Sequence, residues 1–147
     1  MKKQQLTSFY LESLVLLAAF VAMILVLTGV FGASRSQSVK ARDLSQAVTI
    51  AANAAEAVSA SGTLEEAAAL LDQGGNVQIR NGAIEAFYRA DGAPCPDGDG
   101  ALRLLLNWEV SGSDPSLVES TLTVFTEKDG KELYSLETAR YRKEAAA

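Results

Sequence analysis

The chain has 147 residues, a formal net charge of −5 and no histidine, so it has room for one modest core beside any anchor and lacks the commonest general base and metal ligand. Its charge is uneven: residues 1–60 hold five Lys and Arg against three Asp and Glu, while residues 61–147 hold eight against fifteen, which disfavours nucleic acid as a partner. The single cysteine, Cys95, excludes an internal disulfide and a thiolate metal cage, and its setting in Pro94-Cys95-Pro96 predicts an exposed loop.

Residues 1–8 form a short leader carrying Lys2 and Lys3, and residues 9–32 follow as a candidate transmembrane helix. Its centre, LVLLAAFVAMILVLTGVF from Leu14 to Phe31, holds eighteen residues without a charge. At ~1.5 Å per residue this spans about 27 Å, near the ~30 Å of a bilayer's hydrocarbon layer. A cleaved secretory signal is the rival reading, with a cut near Phe31-Gly32-Ala33, but signal cores run only ~7–15 residues. Arg35, Lys40 and Arg42 after the span nearly balance Lys2 and Lys3 before it. A short basic end stays in the cytoplasm readily, so the expected arrangement is a single pass through the cell membrane, with the acidic C-terminal domain extracytoplasmic.

Beyond Gly32 no proline or glycine interrupts residues 33–60, which predicts a stalk helix continuing the anchor, from about residue 8 to residue 60 and ~80 Å long. Val39, Leu44, Val48, Ala51, Ala55 and Val58 recur close to a heptad and mark the face expected to be covered. A coiled coil or plain spacer is the alternative; the small side chains and the lack of regular flanking charge argue against a coiled coil.

Residues 61–147 read as a separate β-rich domain. Thr63-Leu64-Glu65-Glu66 is a capping box, with Glu66 expected to reach back to the Thr63 N–H, and predicts a short helix over 64–72. Val77–Arg80 and Ala83–Arg89 flank Asn81-Gly82, a strong signal for a two-residue hairpin turn. In Ala101–Ser111 the apolar Leu102, Leu104, Leu106, Trp108 and Val110 alternate with Arg103, Asn107 and Glu109, the pattern of a half-buried central strand. Strands over 117–126 and 132–141 complete a five-stranded antiparallel meander, one face of which should cover the stalk. The fold class is therefore α+β: a long N-terminal transmembrane-plus-stalk helix packed on a small antiparallel β-meander.

This layout resembles the type IV pilins and the pseudopilins of type II secretion and competence systems. The likeness covers most of the chain and is sharpest at Ser8-Phe9-Tyr10-Leu11-Glu12-Ser13-Leu14, which is similar to the pilin pattern of glycine, phenylalanine, threonine, leucine, a branched residue and glutamate. The family's glycine before the cut is absent, and Thr7 or Ser8 stands there. A mature start at Ser8 makes Glu12 the fifth residue, whereas a start at Phe9 makes it the fourth. The resemblance implies a pilin-like fold, a membrane-anchored structural subunit such as a minor pilin or pseudopilin, and packing with like subunits or other pilins through the N-terminal helix. It also implies Glu12 as the assembly residue, which in pilins pairs with a neighbouring subunit's amino terminus, and prepilin peptidase as a processing partner acting around Thr7, Ser8 and Phe9. Without pairing, Glu12 is simply a carboxylate at headgroup level.

Other features point to structure. Gly29 and Gly32 have a small-xxx-small spacing suited to helix contact, or occur by chance in an apolar helix. Asp97-Gly98-Asp99-Gly100 lacks the further ligands of a calcium loop and reads as a solvated turn. Trp108 is expected in the core, and Tyr134, Arg140, Tyr141, Arg142 and Lys143 at the sheet edge and in a solvated tail. No nucleophile, base and orienting group can be assembled, so neither an enzyme nor a bound cofactor or metal is expected. The alternative to a filament subunit is a single-pass accessory or binding domain tethered in the cell envelope, with loop 91–100 as its candidate contact.

Overall fold

The computed structural model describes residues 2–142, with side chains described from residue 8 onward. The side chains of Lys2, Lys3 and the processing candidate Thr7, and the whole of Lys143, therefore lie outside what is described. The chain divides into two compact units, Met1–Ala41 and Arg42–Ala147. Helix α1 runs over Lys2–Ala60, and every described side chain in the first unit is exposed.

The second unit contains the last turns of α1, helix α2 (Leu64–Leu71) and five strands: β1 (Val77–Arg80), β2 (Ala83–Tyr88), β3 (Leu102–Val110), β4 (Leu117–Thr126) and β5 (Glu132–Tyr141). The strands pair in chain order, each antiparallel to the next, with β3 central. The architecture is α+β: the C-terminal part of a long N-terminal helix packed on a five-stranded antiparallel meander. Local chemistry sets the turns. Asn81 (φ 51°) and Gly82 (φ 77°) both take the positive φ that a tight two-residue hairpin requires.

The core lies between α1 and one face of the sheet. Ile84, Leu104, Leu106, Leu122 and Val124 are fully buried on that face, and the register sets Leu104 against Val124 and Leu106 against Leu122. Burying each of these side chains contributes roughly 1.5–3 kcal/mol, which gives the hairpins a stability that they lack alone.

The helix meets the sheet on a face that only partly matches the heptad expectation: Ala51 and Val58 are buried and Ala55 packs against the core as expected, but the first half of the stripe is not covered. Ala47, Ile50, Ala51, Ala54, Ala57 and Val58 are buried, whereas Val39, Leu44 and Val48 are 45%, 46% and 40% exposed. The covered stripe is turned by roughly a quarter of a revolution at 100° per residue. Four of its six members are alanines, and with Ile50 and Val58 they share one buried core with the leucines of β3 and β4.

The cap of α2 also differs in one bond. The Thr63 hydroxyl accepts from the Glu66 N–H at 3.2 Å as expected, but Glu66 Oε2 accepts at 2.6 Å from the N–H of Gly62, one residue before the threonine.

Candidate functional site

Two surfaces carry the residues singled out by sequence. The first is the apolar part of α1. Phe9, Leu11, Leu14, Leu16, Phe20 and Met23 are 62–66% exposed within a helix that is apolar on all sides, and α1 contains one segment long and apolar enough to cross a membrane, none of it buried. Its polar groups are few: Thr28 donates its hydroxyl to the Ile24 carbonyl at 2.8 Å, so that hydroxyl asks nothing of its surroundings. Glu12, Ser8 and Phe9 all lie on this exposed helix. A side chain added at Gly29 or Gly32 would meet nothing within 4 Å, so both positions offer smooth helix surface.

The exposure continues into the second unit as a strip of Leu44, Val48 and Ala52, on the side of α1 away from the sheet. Arg42 pairs with Asp43 at 3.6 Å beside it, and an exposed pair of this kind contributes little stability.

The second surface is loop 91–100, where the structure corrects the expectation of an exposed cysteine. Cys95 is only 2% exposed. Its N–H donates to the Phe87 carbonyl at 3.1 Å, and Pro94 bridges to Tyr88, so the loop folds back on the end of β2 and encloses the thiol. Burial pushes the Cys95 thiol up, with smaller effects from Arg89, which lowers it, and from Asp99 and Asp91, which raise it. Such a thiol is a poor nucleophile. The Gln46 side chain of α1 reaches Gly92 (φ 83°), where an added Cβ would collide with its amide group. Asp97 accepts from Gln78 at 3.3 Å and from Arg80 at 3.1 Å, which ties the loop to β1.

The sheet's outer face carries a chain of ion pairs. Arg80 faces Glu85 at 3.5 Å and Asp97 at 3.1 Å, while Arg103 faces Glu85 at 4.0 Å and Glu127 at 3.3 Å. Arg103 also lies 5.8 Å from the Phe125 ring centroid. These cations are consumed by structure. Among the described residues no three of His, Cys, Asp and Glu stand where they could hold a metal ion.

Two further residues depart from the sequence reading. Trp108 is partly buried against the core rather than within it. Arg140 lies on the edge strand β5, as expected, but its side chain is not free in solvent: the guanidinium carbon lies 5.1 Å from the Trp108 ring centroid, on the face of the sheet that packs on α1. The alternation Tyr134, Leu136, Thr138, Arg140 was the available signal, because period two puts all four on one face. Tyr141, by contrast, is 70% exposed.

Comparison with protein-family models, curated proteins and solved structures finds no match to this chain.

Proposed function

We propose that the chain is a membrane-anchored, pilin-like structural subunit, a minor pilin or pseudopilin of a type IV pilus, type II secretion or competence-type assembly. The observation that carries this reading is the division of labour along α1 (Lys2–Ala60): an apolar segment with nothing buried, then last turns that supply six of the seventeen buried residues of the domain core. In this reading the helix crosses the cell membrane once, with the N-terminus in the cytoplasm and the β domain outside. Lipid solvates the apolar side chains until like helices replace it. Glu12 is costly among apolar neighbours when unpaired, so pairing with a neighbouring subunit's amino terminus favours docking. The role is structural rather than enzymatic.

The test is Glu12→Ala in the full chain, produced beside a matching assembly system and a prepilin peptidase. The expected result is a several-fold loss of the chain from the sheared filament fraction at unchanged membrane level. Equal incorporation of variant and parent would refute the assembly role.

Thr7 or Ser8 in place of the family's glycine supports a second reading, in which the leader is retained and the protein is a permanent envelope-tethered accessory domain. Intact mass with amino-terminal sequencing separates the two. A start at Ser8 or Phe9 supports processing, a retained Met1 or Lys2 supports the tether, and a start just after Gly32 means that the apolar segment is a cleaved signal.

A further inference from the structure

The two edges of the sheet are unequal. β1, at one edge, has four residues and lies beside α2. β5, at the other, has ten residues and pairs only with β4. It contains neither proline nor lysine, residues that commonly keep an open edge from pairing. Its irregularities sit at the two ends: a register shift between Val124 and Phe125, opposite Glu132 and Tyr134, and the inward charge of Arg140. Between them Tyr134–Ala139 runs in regular register. Half of its backbone N–H and C=O groups face away from β4, and among the described residues no strand pairs with them.

The two faces of this edge differ in chemistry. On the α1 side Tyr134 and Leu136 pack against the core yet are only half-buried, because β5 has no neighbour on its far side. On the outer side Glu109 of β3 lies directly opposite Glu119 of β4, and Glu119 lies opposite Ala139 of β5, two residues from Glu137. Like charges directly opposite one another destabilise a sheet. Among the described residues none of these three carboxylates has a Lys or Arg within 4.0 Å. A groove of about 420 Å³ runs between β4 and β5 here, lined by Glu119, Ser120, Thr121, Glu137, Thr138 and Ala139. The acids are too dispersed to hold one metal ion, so the patch suits separate cations carried on a scaffold.

We propose that the free edge of β5 takes up one further strand, an extended segment of a partner protein in which basic side chains alternate with apolar ones. The segment's backbone pairs with the groups that β5 leaves open over Tyr134–Ala139. Its apolar side chains continue the half-covered row at Tyr134 and Leu136. On the outer face a basic residue opposite Glu137 meets that carboxylate directly. A lysine or arginine opposite Ala139 lies over that small side chain towards Glu119, two strand spacings of ~4.8 Å away. A second copy of this chain lacks the required cations, because the outer-face positions of β5 hold Ser135, Glu137, Ala139 and Tyr141. The inference is independent of the pilin-like reading and holds for a tethered monomer as well.

The test uses the full, nitrogen-15-labelled chain in maltoside micelles and a short blocked peptide in which lysine alternates with valine. Saturable shifts of the Tyr134–Ala139 amide resonances are expected, with slower hydrogen exchange at the β5 amides that face away from β4. The same peptide with glutamate in place of lysine binds about tenfold more weakly or worse, and added salt narrows the gap. Methylating alternate peptide nitrogens, on the edge that meets β5, abolishes binding without any change to the protein. In the chain carrying both Glu119→Gln and Glu137→Gln, affinity for the lysine peptide falls about tenfold while the glutamate peptide gains. Both residues are exposed, and the peptide variants keep the test decisive whatever the double variant does. Absence of a saturable shift, shifts centred away from β5, or equal binding of the lysine, glutamate and methylated peptides overturns the proposal. Concentration-dependent shifts of β5 without peptide, with a dimer in sedimentation, would give the edge to a second copy and overturn it too.

Discussion

The helix face on the sheet is open to a direct test through Ala54, which is 0% exposed, and Val48, which is 40% exposed. The heptad pattern puts Val48 against the sheet; the structure puts Ala54 there. Ala54→Leu introduces an isobutyl group where alanine fits, and since alanine and leucine are both good helix formers, propensity changes by only a few tenths of a kcal/mol. The loss is then one of packing: α1 must lift or β3 leucines must leave their rotamers, at about 1–3 kcal/mol. For a unit of this size the melting temperature falls by roughly 5–20 °C. Val48→Ala removes two methyl groups that water already reaches, and alanine's better helix propensity offsets most of the remainder, so its net effect is within about 0.5 kcal/mol of zero. Thermal and urea unfolding of the full chain in micelles, followed by Trp108 fluorescence, reads only the second unit. The reverse order, a neutral Ala54→Leu with a costly Val48→Ala, would refute the packing described here.

The Tyr88 hydroxyl is pushed up to about 12 by burial, against a smaller lowering effect of Asn76. The unfolded chain therefore releases this proton first as pH rises, and stability present below about pH 10 is lost towards pH 12, by at most about 3 kcal/mol. Tyr88→Phe is expected to flatten that alkaline decline, and an unchanged pH profile in denaturant midpoints would contradict it. Thr63→Ala removes the hydroxyl that accepts from Glu66 N–H; a loss of about 1 kcal/mol and faster amide exchange confined to α2 are expected.

The sheet was legible because strand chemistry is local. Period-two alternation in Leu102–Val110, the Asn81-Gly82 turn and the loops at Gly112 and Gly130 fix element, order and face without reference to the rest of the chain. The helix face was legible only in part: Ala51, Ala55 and Val58 were in the expected stripe and do meet the core, but alanine at 47, 51, 52, 54, 55 and 57 makes several stripes nearly equal in apolar weight. Steric access then decides, and access is a property of the partner sheet. Cys95 misled for a related reason: its flanking prolines signal an irregular loop, and irregularity says nothing about which way the loop folds. At Arg140 the charge argued for solvent while the strand period argued for the covered face, and the period decided because Trp108 offers the guanidinium a ring to lie on.

The turn of α1 also bears on what the protein does. A helix that serves only as a spacer needs one apolar stripe, to hold its own domain. Here the sheet occupies the stripe centred on Ala51 and Ala54, and a second strip with Leu44 and Val48, 46% and 40% exposed, remains uncovered. The same helix carries its exposed apolar segment through residues 9–31. Lipid accounts for the segment between Leu14 and Phe31, but not for a leucine and a valine at 44 and 48, beyond the charged Arg35, Lys40 and Arg42. Scattered apolar residues are normal on a surface, yet these two recur at helical spacing on one side. On the proposed assembly reading, packing against like helices would cover Leu44 and Val48, whereas a monomeric tether leaves them in water.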